Sequence, residues 1–419
     1  MTKSKKIRTI VFITASFLAA AIFPAFAEAP EPAKEAEDAG PDNTNACREK
    51  AVEFCNRALA YEKSGEFDKA IADYDRAIKL NPGDSQAYNS RAIACVKRGS
   101  YKDAIADFEA AIKLMPGSPG LYRRAASAYL AIGEKGKAMK VLDEGGAKSP
   151  KDARIYNDKG VVYAKEGKFG EAVENYTRAI ELDRSNGEFY YNRALSYERL
   201  KMTVDAISDL RAAVELNPHN NDAFRILGEM NFEEGNYDDA AYYLGWVAQF
   251  DPKDYRAHML LGFAYLNQGL VNEALPEFTR AIELDPSNLS AYYNRGAAYL
   301  KKLDFDLAIS DFTKTIELSS EKNQKAYKAR GFAYSAKREF DKALADYNTA
   351  IALDPKDGQA YAYRGIVYRE KNDLPRNMKD YRKAVALDYD ASRAKWGGKW
   401  GVLIEHDDKD KYTRYNHWL

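Results

Sequence analysis

Clusters of positive charge are missing from this chain. Beyond Lys3, Lys5, Lys6 and Arg8 there is no block of lysine and arginine, and 63 basic residues balance 63 acidic ones. A nucleic-acid partner, which requires a concentrated positive face, is disfavoured. Cysteine is scarce. Cys47, Cys55 and Cys95 are an odd number, so at least one is unpaired. No histidine stands near any of them and no nucleophile motif surrounds them, which argues against a catalytic thiol. His219, His258, His406 and His417 show no metal-ligand spacing. A phosphate loop, a nucleophile elbow and a defensible catalytic dyad are also missing. These absences point away from an enzyme and imply neither cofactor nor metal.

Long apolar runs are missing too. The one near the start, Ile10 to Phe23, is short for a membrane span. It follows the basic start and precedes Ala25-Phe26-Ala27, a small-x-small pattern. Residues 1–27 therefore read as a cleaved secretory signal of bacterial type, with no stable membrane insertion afterwards and a periplasmic or secreted location. Residues 28–46 are rich in Ala, Pro and Glu, and read as a disordered spacer. If residue 47 is not helical, Cys47 and Cys55 can form a local disulfide in an oxidising compartment.

What is present is a repeat. Units of 34 residues start at Ala51, Ser85, Pro119, Ala153, Gly187, Asn221, Tyr255 and Leu289. After one extra residue, Asn323, two more start at Gln324 and Gly358. Each unit contains two apolar stripes at helical spacing. In the ninth, Tyr327, Gly331 and Tyr334 face Phe340, Ala343, Tyr347 and Ala350. The eighth position is always Ala or Gly, and the twentieth is Ala in every unit but the last, which has Asn377. Small residues there mark points where two helices cross closely. Proline closes seven units, from Pro82 to Pro355. Neither helix of a unit can bury its stripe alone, so the units must stack.

The period, the aromatic fourth position, the small eighth, Tyr at the eleventh, Ala at the twentieth and the closing Pro resemble the tetratricopeptide repeat family. The resemblance covers residues 51–391. It implies an all-α, right-handed superhelical solenoid of about ten helix-turn-helix units. For function it implies a scaffold that binds a protein or an extended peptide on its concave face. The family's clamp for C-terminal carboxylates needs Lys at the fifth and Asn at the ninth position of one unit. No unit here has both, so that activity does not carry over.

The units are unequal. The third has Leu142 where an aromatic is usual, and Gly145-Gly146 in its second helix, at about 1 kcal/mol each against Ala. A soft point is expected there. The seventh has Pro276 inside its second helix, which should kink the helix or shift its start.

The seventh position carries Arg57, Arg91, Arg193, Arg295, Arg330 and Arg364. A row of arginines suggests an anion groove. Yet the twenty-third position of those same units is Asp73, Asp107, Asp209, Asp311, Asp346 and Asp380, and no other unit has Asp there. The match predicts a part-buried ion pair between the two helices of each unit.

Positions two, five, nine and twelve lie on the opposite face of the first helix, which in this family lines the concave surface. The fifth position reads Asn89, Arg123, Asn157, Tyr191 and Arg225 across units two to six, and Arg154 and Arg256 stand at the second. Asn and Arg bond peptide backbones and carboxylates, and Tyr stacks on side chains. These seven are the candidate groove residues. Residues 392–419 carry Trp396, Trp400 and Trp418 and read as a cap over the last unit or a docking tail.

The leading expectation is an exported interaction scaffold. An accessory subunit of an envelope-polymer enzyme and an array assembling end to end are the alternatives. Expressed in a bacterial host, the chain should be processed after Ala27, and the intact mass of the mature protein should correspond to a start at Glu28.

Overall fold

The computed structural model describes residues 44–387 apart from residue 321. The expected signal (1–27), nearly all of the spacer (28–46), the end of the array and the Trp-rich tail (392–419) lie outside the described residues. Among the described residues there are twenty α-helices and no strand. Units one to four hold α1 (Thr44–Lys63) and α2 (Phe67–Leu80), α3 (Ser85–Arg98) and α4 (Tyr101–Leu114), α5 (Pro119–Ala131) and α6 (Lys135–Lys148), α7 (Ala153–Lys165) and α8 (Phe169–Leu182). Units five to seven hold α9 (Gly187–Arg199) and α10 (Thr203–Leu216), α11 (Asn221–Glu233) and α12 (Tyr237–Phe250), α13 (Tyr255–Asn267) and α14 (Val271–Leu284). The last three hold α15 (Leu289–Lys302) and α16 (Phe305–Leu318), α17 (Gln324–Ala336) and α18 (Phe340–Leu353), α19 (Gly358–Glu370) and α20 (Leu374–Ala386). No described helix is long and apolar enough to cross a membrane.

Local chemistry sets these boundaries. The side chains of Asp84, Asp152, Asn186, Asn220, Asp254, Asn288, Asn323 and Asp357 each accept a backbone N–H at the start of a first helix. Such caps satisfy donors that have no partner within the helix. Most stand two residues after the closing proline, so the proline ends one unit and the cap opens the next. The turn inside each unit passes through a left-handed residue. Six units use glycine there, from Gly65 to Gly269, whereas Lys201, Leu303, Arg338 and Asn372 hold φ of 62 to 66° against their side chains' preference.

Each second helix packs on the first helix of its own unit and on that of the next. First helices of successive units also approach one another, as α5 does α7 and α11 does α13, and no two second helices come as close. The first helices therefore form the inner wall of the solenoid.

The two helices of a unit cross where the eighth position meets the twenty-fourth. A Cβ on Gly160 would stand 2.5 Å from the Tyr176 ring, on Gly228 2.7 Å from Leu244, on Gly262 2.8 Å from Phe278 and on Gly296 2.9 Å from Phe312. The repeated alanine at position twenty is wholly buried in all nine units that carry it. The expectation of close crossing holds.

One local expectation changes, and two others take structural form. Helix α1 begins seven residues before the repeat frame and includes both Cys47 and Cys55. Eight residues along one helix separate them by about 12 Å, so they cannot form the envisaged disulfide; Cys95 is buried in the core. The Gly145-Gly146 pair does not interrupt α6. A Cβ on Gly145 would lie 2.8 Å from Tyr122 and 3.3 Å from Ile155, so glycine admits both neighbours. Pro276 sits within α14 without moving its start from the seventeenth position.

All six arginine–aspartate pairs form. Nε and one Nη of each guanidinium donate to the two carboxylate oxygens at 2.5 to 2.9 Å. The aspartates are buried. Each guanidinium also lies over the aromatic at the fourth position, as Arg57 over Phe54 and Arg364 over Tyr361. The carboxylate pushes each guanidinium further toward its charged form. The row is therefore structural and presents no open anion groove.

A further link was not expected. The remaining Nη reaches the twenty-fifth position of the preceding unit. Arg91 meets Asp75, Arg193 meets Thr177 at 2.9 Å, Arg295 meets Thr279 at 3.2 Å, Arg330 meets Thr313 at 3.0 Å and Arg364 meets Asn348 at 2.7 Å. In the fourth unit Lys159 makes the same link, to Asp143 at 2.7 Å. The seventh unit replaces the internal pair by another. His258 Nδ1 lies 2.7 Å from Glu277, which occupies the aspartate position.

Two changes test this packing. Gly160→Ala should destabilise the protein by about 1–3 kcal/mol in urea unfolding, because Tyr176 has to leave its rotamer, and Tyr176→Leu on the same chain should recover part of it. Asp311→Asn should cost about 3 kcal/mol, the lower end for a broken buried pair, because Arg295 keeps 19 % of its side-chain surface in water. Arg295→Leu with Asp311→Tyr, the pairing of Leu227 and Tyr243 in the sixth unit, should restore most of that loss.

Candidate protein-binding groove

The expected groove residues all stand on first helices, which form the inner wall, but they differ in availability. Asn89 and Asn157 are buried. Each accepts from the sixth position of the following unit, Asn89 from Arg124 and Asn157 from Asn192, both at 3.0 Å. They join neighbouring first helices edge to edge. Arg154 is exposed. Tyr191 is half-buried, and burial pushes its hydroxyl up to about 12, so it remains a proton donor.

Arg123, Arg225 and Arg256 are partly exposed and bridge units. Arg123 Nε donates to Asp158 at 2.6 Å. Burial pushes the Asp158 carboxyl above its ordinary range, with Arg123 opposing the shift. Arg225 Nε stands 3.0 Å from Asp254, the residue that caps α13. Arg256 lies across the same joint, with Nε 3.0 Å from Glu229 and Nη2 donating to it at 3.1 Å. The Nε groups of Arg225 and Arg256 are buried against these carboxylates, and Asn221 Oδ1, at the start of α11, is buried without a hydrogen bond. The joint of units six and seven is thus crossed by two arginine–acid pairs whose guanidinium side chains keep part of their surface in water. Lys328 repeats the theme further along, reaching Asp357 at 2.8 Å.

The groove is accordingly a ladder of unit-to-unit polar contacts rather than a bare positive strip. The structure brings Arg225 and Arg256 to one joint, with Tyr191 one unit earlier. Arg123 stands apart, at the joint of units three and four. Sequence reasoning missed the acidic partners Asp158, Glu229 and Asp254. Their signal was available: an acid stands one unit away from each of the three arginines.

Models described as tetratricopeptide repeat match residues 55–119 and 204–255, 96–157 and 231–294, 187–220 and 289–322, and 325–357. A TPR repeat model matches 162–201. No curated protein matches the chain. Among solved structures, MamA is 27 % identical over 41 % of this chain and 98 % of its own, with a TM-score of 0.37. YrrB, a TPR protein with an unusual peptide-binding site, is 24 % identical over 47 % and 97 %, with a TM-score of 0.41. The C-terminal part of a TPR repeat-containing protein from Cytophaga hutchinsonii is 22 % identical over 57 % and 98 %, with a TM-score of 0.46. With ten stacked helix pairs and repeat models matching most of its length, the chain belongs to the tetratricopeptide repeat family.

Proposed function

We propose that this protein is an exported interaction scaffold that holds an extended segment of another protein along its inner wall, centred on units four to seven. The observation that carries the reading is the joint of units six and seven. Arg225 and Arg256 reach acids across it and keep 33 and 38 % of their side-chain surface in water. A peptide carbonyl or carboxylate can accept from the guanidinium N–H groups that these acids leave open. Tyr191, one unit earlier, supplies a flat face for a side chain, and the exposed Arg154 favours a carboxylate. Export rests on the signal-like segment before residue 28, and the envelope is then where the partner resides.

The test requires variants that spare the scaffold. Arg123 and Arg225 hold Asp158 and Asp254 across joints, so reversing their charge would unsettle the stack. Arg154→Glu with Tyr191→Leu touches neither, and leucine keeps the contact that Tyr191 makes with the core. Peptides selected from a displayed random library on the chain from Glu28 should bind this double variant at least about tenfold more weakly, measured by calorimetry on protein of unchanged helicity. Equal binding by parent and variant would move recognition off the inner wall.

A further inference from the structure

The outer face of the sixth unit carries a feature that the repeat does not require. Tyr242, Trp246 and Phe250 follow one another at four-residue spacing along α12 and are 60, 37 and 46 % exposed. In the other nine units the positions equivalent to Tyr242 and Trp246 hold only small or polar residues or Pro276. The rings are held in place. Trp246 stacks on Phe250 at 5.7 Å, and both lean on the buried Phe224 at 6.2 and 6.4 Å. Such an ordered apolar patch marks an interaction surface.

Two further observations indicate what covers it. The first is charge at the ends. Asp238, one step before Tyr242 on the same stripe, and Lys253, three residues past the end of α12, are both exposed. Neither enters an ion pair among the described residues, whereas the adjacent Asp239 is held by Arg211. The stripe is thus aromatic in the middle, negative at one end and positive at the other. The second is Gly245, which borders the stripe. A Cβ there would meet nothing within 4 Å. Inside a helix, glycine is unfavourable, and internal packing gives no reason for it here. It leaves a shallow gap beside Trp246 where another helix can approach.

We propose that α12 is a self-association surface: two copies pack α12 against α12 in antiparallel fashion about a two-fold axis at Trp246. In that register Tyr242 meets the partner's Phe250, Trp246 meets the partner's Trp246, and Asp238 meets the partner's Lys253. The same patch serves both copies, as an isologous contact demands, and both end charges are answered twice. Three partly exposed rings cover less than the ~800 Å² per partner of a stable interface, so the dimer is weak and reversible. The surface lies on the outer wall and leaves the groove free.

Sedimentation equilibrium of the full chain, across a series reaching high micromolar concentration, should show a monomer–dimer equilibrium. Trp246→Arg should abolish it. Asp238→Lys and Lys253→Glu should each raise the dissociation constant about tenfold, since either places like charges together at both ends. Mixing these two single variants should restore dimerisation, because only the heterodimer then pairs opposite charges. Gly245→Ala should raise the melting temperature of the monomer while weakening the dimer, opposite effects that a merely structural glycine would not produce. A chain that stays monomeric throughout overturns the proposal. So does a dimer indifferent to Trp246→Arg, and so does a mixture of the charge variants that associates no better than either alone.

Discussion

The whole array rests on one steric condition: within each unit the two helices approach until side chain meets backbone. In units four, six, seven and eight, where the eighth position is glycine, the first helix leaves no room for a methyl group against the residue at position twenty-four. That approach brings the seventh and twenty-third positions together. An arginine and an aspartate there are then close enough for two parallel hydrogen bonds and are shielded from water on the aspartate side. The pair adds little to net stability, because removing two charges from water offsets most of the attraction. It does select one relative rotation of the helices, and stacking carries that rotation from unit to unit. The inner wall inherits its geometry from this repeated choice.

Much of this was readable before any coordinates, and the reason is locality. A unit of 34 residues contains both partners of its own crossing and of its own ion pair, so a count along the chain exposes them. Contacts between units are just as regular, yet they connect the end of one count to the beginning of the next. The acceptors Asp75, Asp143, Thr177, Thr279, Thr313 and Asn348 all precede a unit with a basic seventh residue, and the pattern escapes a reading confined within units. The misreadings have the same root. Helix propensity registers the cost of Gly145 but not its reason, Tyr122 on the neighbouring helix, which leaves no room for a larger residue. The disulfide expectation placed the start of helical structure at the repeat frame, and α1 starts earlier. Asn89 and Asn157 were read as exposed because asparagine usually is; the next unit's sixth residue covers each of them.

The inner wall illustrates why a scaffold can be recognised more easily than its cargo. Stacking consumes most of the polar groups that sequence spacing assigns to the groove. What remains for a partner is what stacking leaves over: an exposed arginine, a half-buried tyrosine, and a joint where two paired guanidinium groups keep part of their surface in water. Such leftovers depend on angles between donors and acceptors, which no spacing rule expresses.

The guanidinium links from one unit to the next have a mechanical consequence. They span the joints into units two, five, eight, nine and ten, with Lys159 serving the joint into unit four. The joints into units three, six and seven have Ala125, Leu227 and Leu261 instead. Directed hydrogen bonds resist sliding, whereas apolar contact tolerates it with little change in energy. Two of these three joints are held by the inner-wall ladder instead, Asn89 with Arg124 into unit three and Arg225 with Asp254 and Arg256 with Glu229 into unit seven. The joint into unit six has the exposed Arg211–Asp239 pair in their place, so under load the array would bend there first, as a rod does at its one softer seam.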